Sequence, residues 1–338
     1  MSLLDNILRY RSLSIVGMAK NTGKTVCLNY ILEHLQGTGK SVAVTSIGLD
    51  GEKTDQVTQT EKPEVTLHAG TYFVTSEFHY RQRELLSEIY NVSDETTSLG
   101  RLVTARAIQD GKVIISGPSY SEQIRRIIKQ LQDIGVDLTI VDGALSRKSS
   151  AAPAITESLI LTTGAAVAPD LNSIVSKTRF VFRLTQLPQY ETPLQEQLME
   201  AETGIYALGN DKAVRLPIAS PLLFSKNKDI LFSHGNTLFI SGIIVDNMVD
   251  YLRIQPQIKE IHLVAKDFTR IFVSPYILQG FLQKGGKLSV LKSPNLIAVC
   301  ANPTSPTGYK IDSGLLCRSL QDVIDVPVYD IKKSGGDC

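Results

Sequence analysis

The sequence predicts an α/β fold: a mostly parallel sheet with helices on both faces, Rossmann-like and three-layered, plus a smaller C-terminal α/β unit. Three observations predict it. Residues 12–32, SLSIVGMAKNTGKTVCLNYIL, read as a strand, a tight polar loop and a helix. Residues 40–47 and 137–143 are further strand-like apolar runs, and each leads toward an acidic residue, Asp50 and Asp142. Between such runs lie helical patterns, and strands alternating with helices imply crossovers and parallel pairing. After about residue 185 the chain is broken often by proline, at Pro188, Pro193, Pro217 and Pro221. The expected division is therefore 1–235 for a first domain and 236–338 for a second.

The 12–32 stretch carries the chemistry. Its loop runs from Gly17 to Gly23 and ends in Gly23–Lys24–Thr25. A strand, a glycine-flanked loop and a helix opened by Gly-Lys-Thr form a phosphate-binding loop, or P-loop. Backbone N–H groups converge at a helix N-terminus, where the helix dipole also favours an anion. The expected nucleotide contacts are Gly17, Lys20, Asn21, Thr22, Gly23, Lys24, Thr25 and Val26. Lys24 would place its ammonium between the β- and γ-phosphates, and the Thr25 hydroxyl would ligate Mg²⁺. The usual pattern has its first glycine five residues before Gly-Lys. Here that position is Met18 and the glycine comes one residue earlier.

Taken in order, Leu3, Leu4, Ile7 and Leu8 predict a short helix under the first strand. Residues 40–47 predict a second strand paired in parallel with the first. Gly48–Leu49–Asp50–Gly51–Glu52 follows it, and ligands of doubly wound sheets sit beyond the carboxyl ends of strands. Asp50 would ligate Mg²⁺ or orient a nucleophile; a solvated acidic turn is the plainer reading. Residues 65–75 are β-rich, and 80–90 and 98–108 are expected to be helical. His68 and His79 read as hydrogen-bonded structural residues. Residues 112–117 predict a strand, and Ser119 to Glu122 a capping box for a helix whose apolar face is Ile124, Ile127, Ile128 and Leu131. Residues 137–143 predict a strand whose end places Asp142 beside the phosphates, as a Mg²⁺ or water ligand. Arg147 and Lys148 follow it, either as stabilisers of phosphoryl charge or as a solvated basic loop. Residues 158–164 predict a buried central strand, 171–177 a helix and 179–184 a strand. Lys24, Asp50 and Asp142 are the expected catalytic groups, and Thr25, Asp50 and Asp142 the expected metal ligands.

The second half reads as strands at 237–245, 261–265, 270–274, 287–291, 296–301 and 326–331, with helices at 247–252, 276–283 and 313–323. Asn302 to Tyr309, NPTSPTGY, is its most unusual piece, a rigid loop of a kind that often carries binding. No Asn-Lys-x-Asp box follows the central strands, so ATP is the expected nucleotide rather than GTP.

The 338 residues carry a net charge of +1, which gives no support for a nucleic-acid surface. The four cysteines show no metal-ligand spacing and are expected to be free thiols. The longest apolar stretch, residues 238–245, is far short of a membrane span. The opening residues hold no run long enough for a secretory leader, Ser2 rather than glycine follows Met1, and Cys338 leaves no prenylation box. A cytoplasmic protein is the expectation.

The loop from Gly17 to Thr25, with its longer glycine spacing, resembles that of dethiobiotin synthetase and of the cobyrinic and cobyric acid amidotransferases. Gly48–Leu49–Asp50 matches two of three positions of the amidotransferases' Gly-Pro-Asp, and Asp142–Gly143–Ala144 stands where the synthetase has Glu-Gly-Ala. This resemblance covers about the first half of the chain and implies a Mg²⁺-dependent ATP-binding P-loop NTPase. IVGMAKNTGKT, IVDGALSRKS and the NPTSPTGY loop ahead of VPVYDI together resemble the P-loop subunit of the lysine 5,6-aminomutase reactivases. That resemblance implies two partners, a second ATPase subunit and a cobalamin-dependent aminomutase. The alternative is a ligase resembling dethiobiotin synthetase that phosphorylates a small carboxylate. No cysteine stands in a nucleophile-turn context, which argues against an amidotransferase. Proteins of this branch often dimerise across the nucleotide, so a homodimer is a further expectation.

Overall fold

The computed structural model describes residues 2–47, 65–118, 121–144, 155–209, 211–218 and 228–330. These divide into two units, one formed by 1–179 with 295–338 and the other by 180–294.

The first unit is built on a large, mostly parallel sheet. Its elements are α1 (Leu3–Ile7), β1 (Ser12–Gly17), α2 (Lys24–Leu35), β2 (Val42–Ser46), β3 (Val65–Leu67), β4 (Tyr72–Ser76), α3 (Glu77–Arg81), β5 (Ser87–Thr97), β6 (Gly100–Ala107), β7 (Gly111–Val113), α4 (Ser121–Asp133), β8 (Leu138–Ala144), β9 (Ser158–Gly164) and α5 (Leu171–Thr185). Past the second unit the chain adds three more elements, which in chain order are β17 (Leu296–Asn302), α10 (Ser313–Gln321) and β18 (Val328–Asp330). Among the described residues nine strands form one sheet, in the order β18-β17-β9-β1-β8-β2-β4-β6-β5.

Helices cover both faces. The α2 side chains Cys27, Leu28, Ile31, Leu32 and Leu35 are buried in one core with Leu13 and Ile15 of β1 and Ile140 of β8. Fully burying a Leu or Ile side chain contributes about 1.5–3 kcal/mol, so this one face fixes the helix firmly. On the opposite face Ile124 and Ile128 of α4 pack with Val141, and Ile127 and Leu131 pack with Ala43 and Val74. The expected α/β architecture is thus present.

Several local expectations are corrected. β1 and β2 are parallel but not paired: β8 lies between them, hydrogen-bonded to both. Its consecutive residues Ile140 and Val141 are buried in cores on the two faces of the sheet, as an interior strand requires. Of residues 80–90, expected to be helical, Tyr80 and Arg81 end α3 and 87–90 open β5; 98–108 is mainly β6, antiparallel to β5, not a helix. Val103, Ala105 and Ala107 alternate into the core, and Gly100 takes the positive φ of 90° that the turn needs. The strand expected at 112–117 is limited to β7, paired with β3. Ser116 beyond it uses its hydroxyl on Ser76 and His79. His79 is buried in that network, as expected of a structural histidine. Residues 179–184 continue α5 rather than forming a strand, because buried Ile174, Thr178, Phe182 and Thr185 recur at helical spacing.

The expected boundary at 235/236 is also corrected. It falls inside the second unit, and 296–302 does not belong to a separate C-terminal domain. β17 pairs in parallel with β9 from Leu296↔Leu159 to Asn302↔Gly164, and all seven of its residues are buried. The second unit is therefore an insertion. It contains α6 (Gln195–Glu200), β10 (Ile205–Leu208), β11 (Ala213–Arg215), α7 (Lys228–Leu231), β12 (Thr237–Ile240), β13 (Ile244–Val245), α8 (Asp246–Arg253), β14 (His262–Ala265), β15 (Ile271–Phe272), α9 (Pro275–Gln283) and β16 (Lys287–Val290). Its five-stranded sheet runs β11-β10-β12-β14-β16, with β12, β14 and β16 parallel. Cys27 and Cys300 are free, as expected, whereas Cys317 is disulfide-bonded, which corrects the expectation for that residue.

Two predictions follow from packing. A Cβ on Gly164, whose φ is +145°, would stand 1.9 Å from the Asn302 carbonyl oxygen. Gly164→Ala is expected to cost about 1–3 kcal/mol of stability, read by urea unfolding. In the second unit, burial raises the Asp267 carboxyl above its usual value, against hydrogen bonds from Thr269 that favour its charged form. The folded state then holds this proton more tightly than the unfolded one. The contribution of Asp267 to stability falls as pH rises from the unfolded value through the raised folded one. Unfolding free energies of wild type and Asp267→Asn, compared from pH 4 to 8, should shift steadily in favour of the variant.

Candidate functional site

β1 is buried along its whole length and delivers the chain at Gly17. No side chain fits there: a Cβ would lie 2.5 Å from Thr22 Oγ1 and 3.0 Å from Lys24 Cγ and Cδ. The Lys24 stem therefore folds back over the Gly17 backbone. Asn21 (φ 64°) and Gly23 (φ 94°) are both left-handed. Alternating such residues with ordinary ones curls successive N–H groups toward one concavity.

The loop is tied from behind. Thr22 is fully buried, and its hydroxyl donates to the Ala19 carbonyl at 3.0 Å and meets Thr162 Oγ1 at 2.9 Å. Met18 N donates to the Thr162 carbonyl at 3.0 Å. Asn302 Nδ2 donates to the Asn21 carbonyl at 3.4 Å, and the Asn302 side chain packs against Gly23, with its Cβ 3.1 Å from where a Gly23 Cβ would stand.

α2 then begins at Lys24, with Gly23 as its N-cap, and the first intrahelical bond runs from Cys27 N to Gly23 O at 2.9 Å. The amides of Lys24, Thr25 and Val26 precede that bond, so they have no partner within the helix. Gly23 has no side chain to cap them, and no acidic residue lies in the first turn. The positive end of the helix dipole is left for an anion.

Asp142 on β8 lies level with Ile15 of β1 and Ser46 of β2. It is half-buried, and its carbonyl accepts Ile47 N at 3.0 Å. Its charge also reaches α2. The Cys27 thiol is pushed well above its usual value, first by its hydrogen bond to Cys300 at 3.6 Å, then by burial, and in part by Asp142. The expected acid thus stands on the strand next to the loop.

Gly17, Lys20, Asn21, Thr22, Gly23, Lys24, Thr25 and Val26 come together in one loop and helix turn. Within it Lys20, Asn21 and Val26 are exposed, Lys24 and Thr25 half-buried, and the Thr22 side chain faces inward. Asp50, Ser119, Arg147 and Lys148 lie outside the described residues. Thr25 and Asp142 offer a hydroxyl and a carboxylate, an oxygen donor set that fits Mg²⁺ with phosphate and water completing the shell. Among the described residues no group of three or more His, Cys, Asp or Glu side chains could hold a metal by itself. Sequence reasoning missed Thr162 and the place of Asn302. The signal for Thr162 was present, since Thr162 and Thr163 interrupt an otherwise apolar strand.

The Asn302 loop closes on itself at the end of β17. Thr304 N donates to Asn302 Oδ1 at 3.2 Å, Ser305 N to the Tyr309 carbonyl at 2.8 Å, and Gly308 takes a φ of 86°. No family model matches the chain, and no curated protein matches it. Among the described residues no helix is long and apolar enough to cross a membrane.

Burial makes a prediction for the thiol pair. Cys27 and Cys300 are both 0% exposed, which keeps reagent from either, and the raised pKa of Cys27 further lowers its reactivity. Iodoacetamide at pH 8 should leave both unmodified in the folded protein and label both in denaturant, read by peptide mass mapping.

Proposed function

We propose that this chain is a Mg²⁺-dependent, ATP-binding P-loop NTPase that couples ATP binding or hydrolysis to a partner protein. One observation carries the reading. The left-handed Asn21 and Gly23 turn the loop into an uncapped helix N-terminus, and the adjacent strand brings Asp142 to the same edge of the sheet. That combination suits a triphosphate with its metal better than it suits a carboxylate or a neutral ligand.

The roles follow from the chemistry of each group. The loop amides and those of Lys24, Thr25 and Val26 receive the phosphate oxygens. Lys24 adds a positive charge where negative charge builds on the transferred phosphoryl group. Thr25 and Asp142, with Asp50, would hold Mg²⁺, which supplies charge neutralisation on the phosphates.

The inserted unit is assigned no nucleotide chemistry of its own in this reading. It has its own sheet and core, and residues 180–294 contain no second Gly-Lys-Thr or Gly-Lys-Ser. Within this reading, a second ATPase subunit and a cobalamin-dependent aminomutase are the partners we propose, on the resemblance of the loop segments to lysine 5,6-aminomutase reactivases.

Single-turnover hydrolysis of ATP with Mg²⁺, with Lys24→Ala as the control, tests this. Hydrolysis by the wild-type chain that falls by about 10²–10³ in the variant is the expected result. Hydrolysis that appears only with an added small carboxylate would favour a ligase instead. Failure of the wild-type chain to bind ATP would overturn the phosphate-loop reading.

A further inference from the structure

We propose that Thr162, on the central strand β9, is a positioning residue that holds the P-loop in its phosphate-receiving shape before nucleotide arrives. The inference rests on the phosphate-loop reading and deepens it.

The hydrogen-bond directions form a chain. The Thr22 hydroxyl has one proton, and it donates that proton to the Ala19 carbonyl. At its 2.9 Å contact with Thr162 the Thr22 oxygen can then only accept, so Thr162 Oγ1 is the donor. The Thr162 carbonyl meanwhile accepts Met18 N. One residue thus grips the loop at both ends, through its main chain at Met18 and through its side chain at Thr22. Asn302 adds a weaker hold on the Asn21 carbonyl from the next strand.

The carbonyls matter because a phosphate repels them. A peptide unit whose C=O points into a cradle presents a negative dipole end to an anion. Anchoring Ala19 and Asn21 carbonyls to protein donors keeps them off the ligand and leaves the amides to face it. A loop arranged in advance loses less conformational freedom on binding, and the saving appears as affinity.

Thr163, the neighbouring residue, separates this role from ordinary strand packing. Its hydroxyl lies 2.7 Å from Thr178 Oγ1, and Thr178 donates to the Ile174 carbonyl within α5. A polar pair in a central strand is costly unless each member has a partner. Here one member serves a helix and the other serves the loop.

The test uses the full chain and three variants. Thr162→Val keeps the shape and removes the donor, Thr162→Ser keeps the donor, and Thr163→Val removes the hydroxyl that serves the helix. Titration of Mg²⁺-ATP should show about five- to tenfold weaker binding for Thr162→Val, the worth of one buried neutral hydrogen bond. Thr162→Ser should stay within about twofold of wild type on the same scale. The single-turnover rate at saturating ATP should change less than the affinity. In the ATP-free protein, amide hydrogen exchange at residues 18–23 should speed up in Thr162→Val and not in Thr163→Val. Thr162→Val with wild-type affinity and unchanged exchange, while the wild-type chain binds ATP, would overturn the inference and leave the phosphate-loop reading intact. If Thr162→Val does not fold, Thr162→Ala gives the same readout. A wild-type chain that fails to bind ATP overturns both.

Discussion

A loop that offers its amides to an anion must hide its carbonyls. Each peptide unit carries both groups, so turning one inward turns the other outward. Residues 18–23 meet this constraint with two left-handed residues and with hydrogen bonds to the Ala19 and Asn21 carbonyls. The rest of the first unit serves that arrangement. β1 is buried so that its end is rigid, α2 is buried along one face so that its N-terminus is fixed, and β8 and β9 flank β1. Asp142 of β8 and Thr162 of β9 lie on the two strands that pair with β1, one on either side of it.

The strand order explains how residues far apart in sequence share one edge. β8 sits between β1 and β2, so Asp142 is level with both Ile15 and Ser46. β17 lies beyond β9, so Asn302 reaches the Asn21 carbonyl across 281 residues of sequence. Positions where a Cβ would collide mark the same edge. Gly17 is crowded by Thr22 and Lys24, and Gly164 by the backbone of Asn302. At Gly17 the crowding comes from side chains, and at Gly164 from the facing backbone.

What the sequence made legible follows from how local the signal was. The stretch from Ser12 to Leu32 carries its strand, its turn residues and its helix within one window, and its form was readable there. Asp142 was readable because a run of apolar residues ends on it. The hairpin of β5 and β6 was misread. Its residues have polar and apolar positions that also suit a helix face, and its strand identity comes from pairing with β4, a distant partner. The place of β17 was unreadable for a similar reason. Nothing within residues 296–302 says whether the neighbour is β16, just before it, or β9, far upstream. Thr162 lay in view, but its meaning depends on Thr22 lying opposite, which only the folded sheet provides.

The insertion of 180–294 also sets an order of assembly. On the ribosome, β9 emerges with one edge open, and β17, which closes that edge, is still unmade. At about 5–20 residues per second the inserted unit takes on the order of ten seconds to emerge. During that time β9 is an unpaired edge strand, a template for incorrect pairing. The Asn21 carbonyl likewise waits for Asn302, so the brace on the loop is completed only after the inserted unit has been synthesised. The nascent chain therefore acquires its finished cradle late, when nearly all of the protein exists.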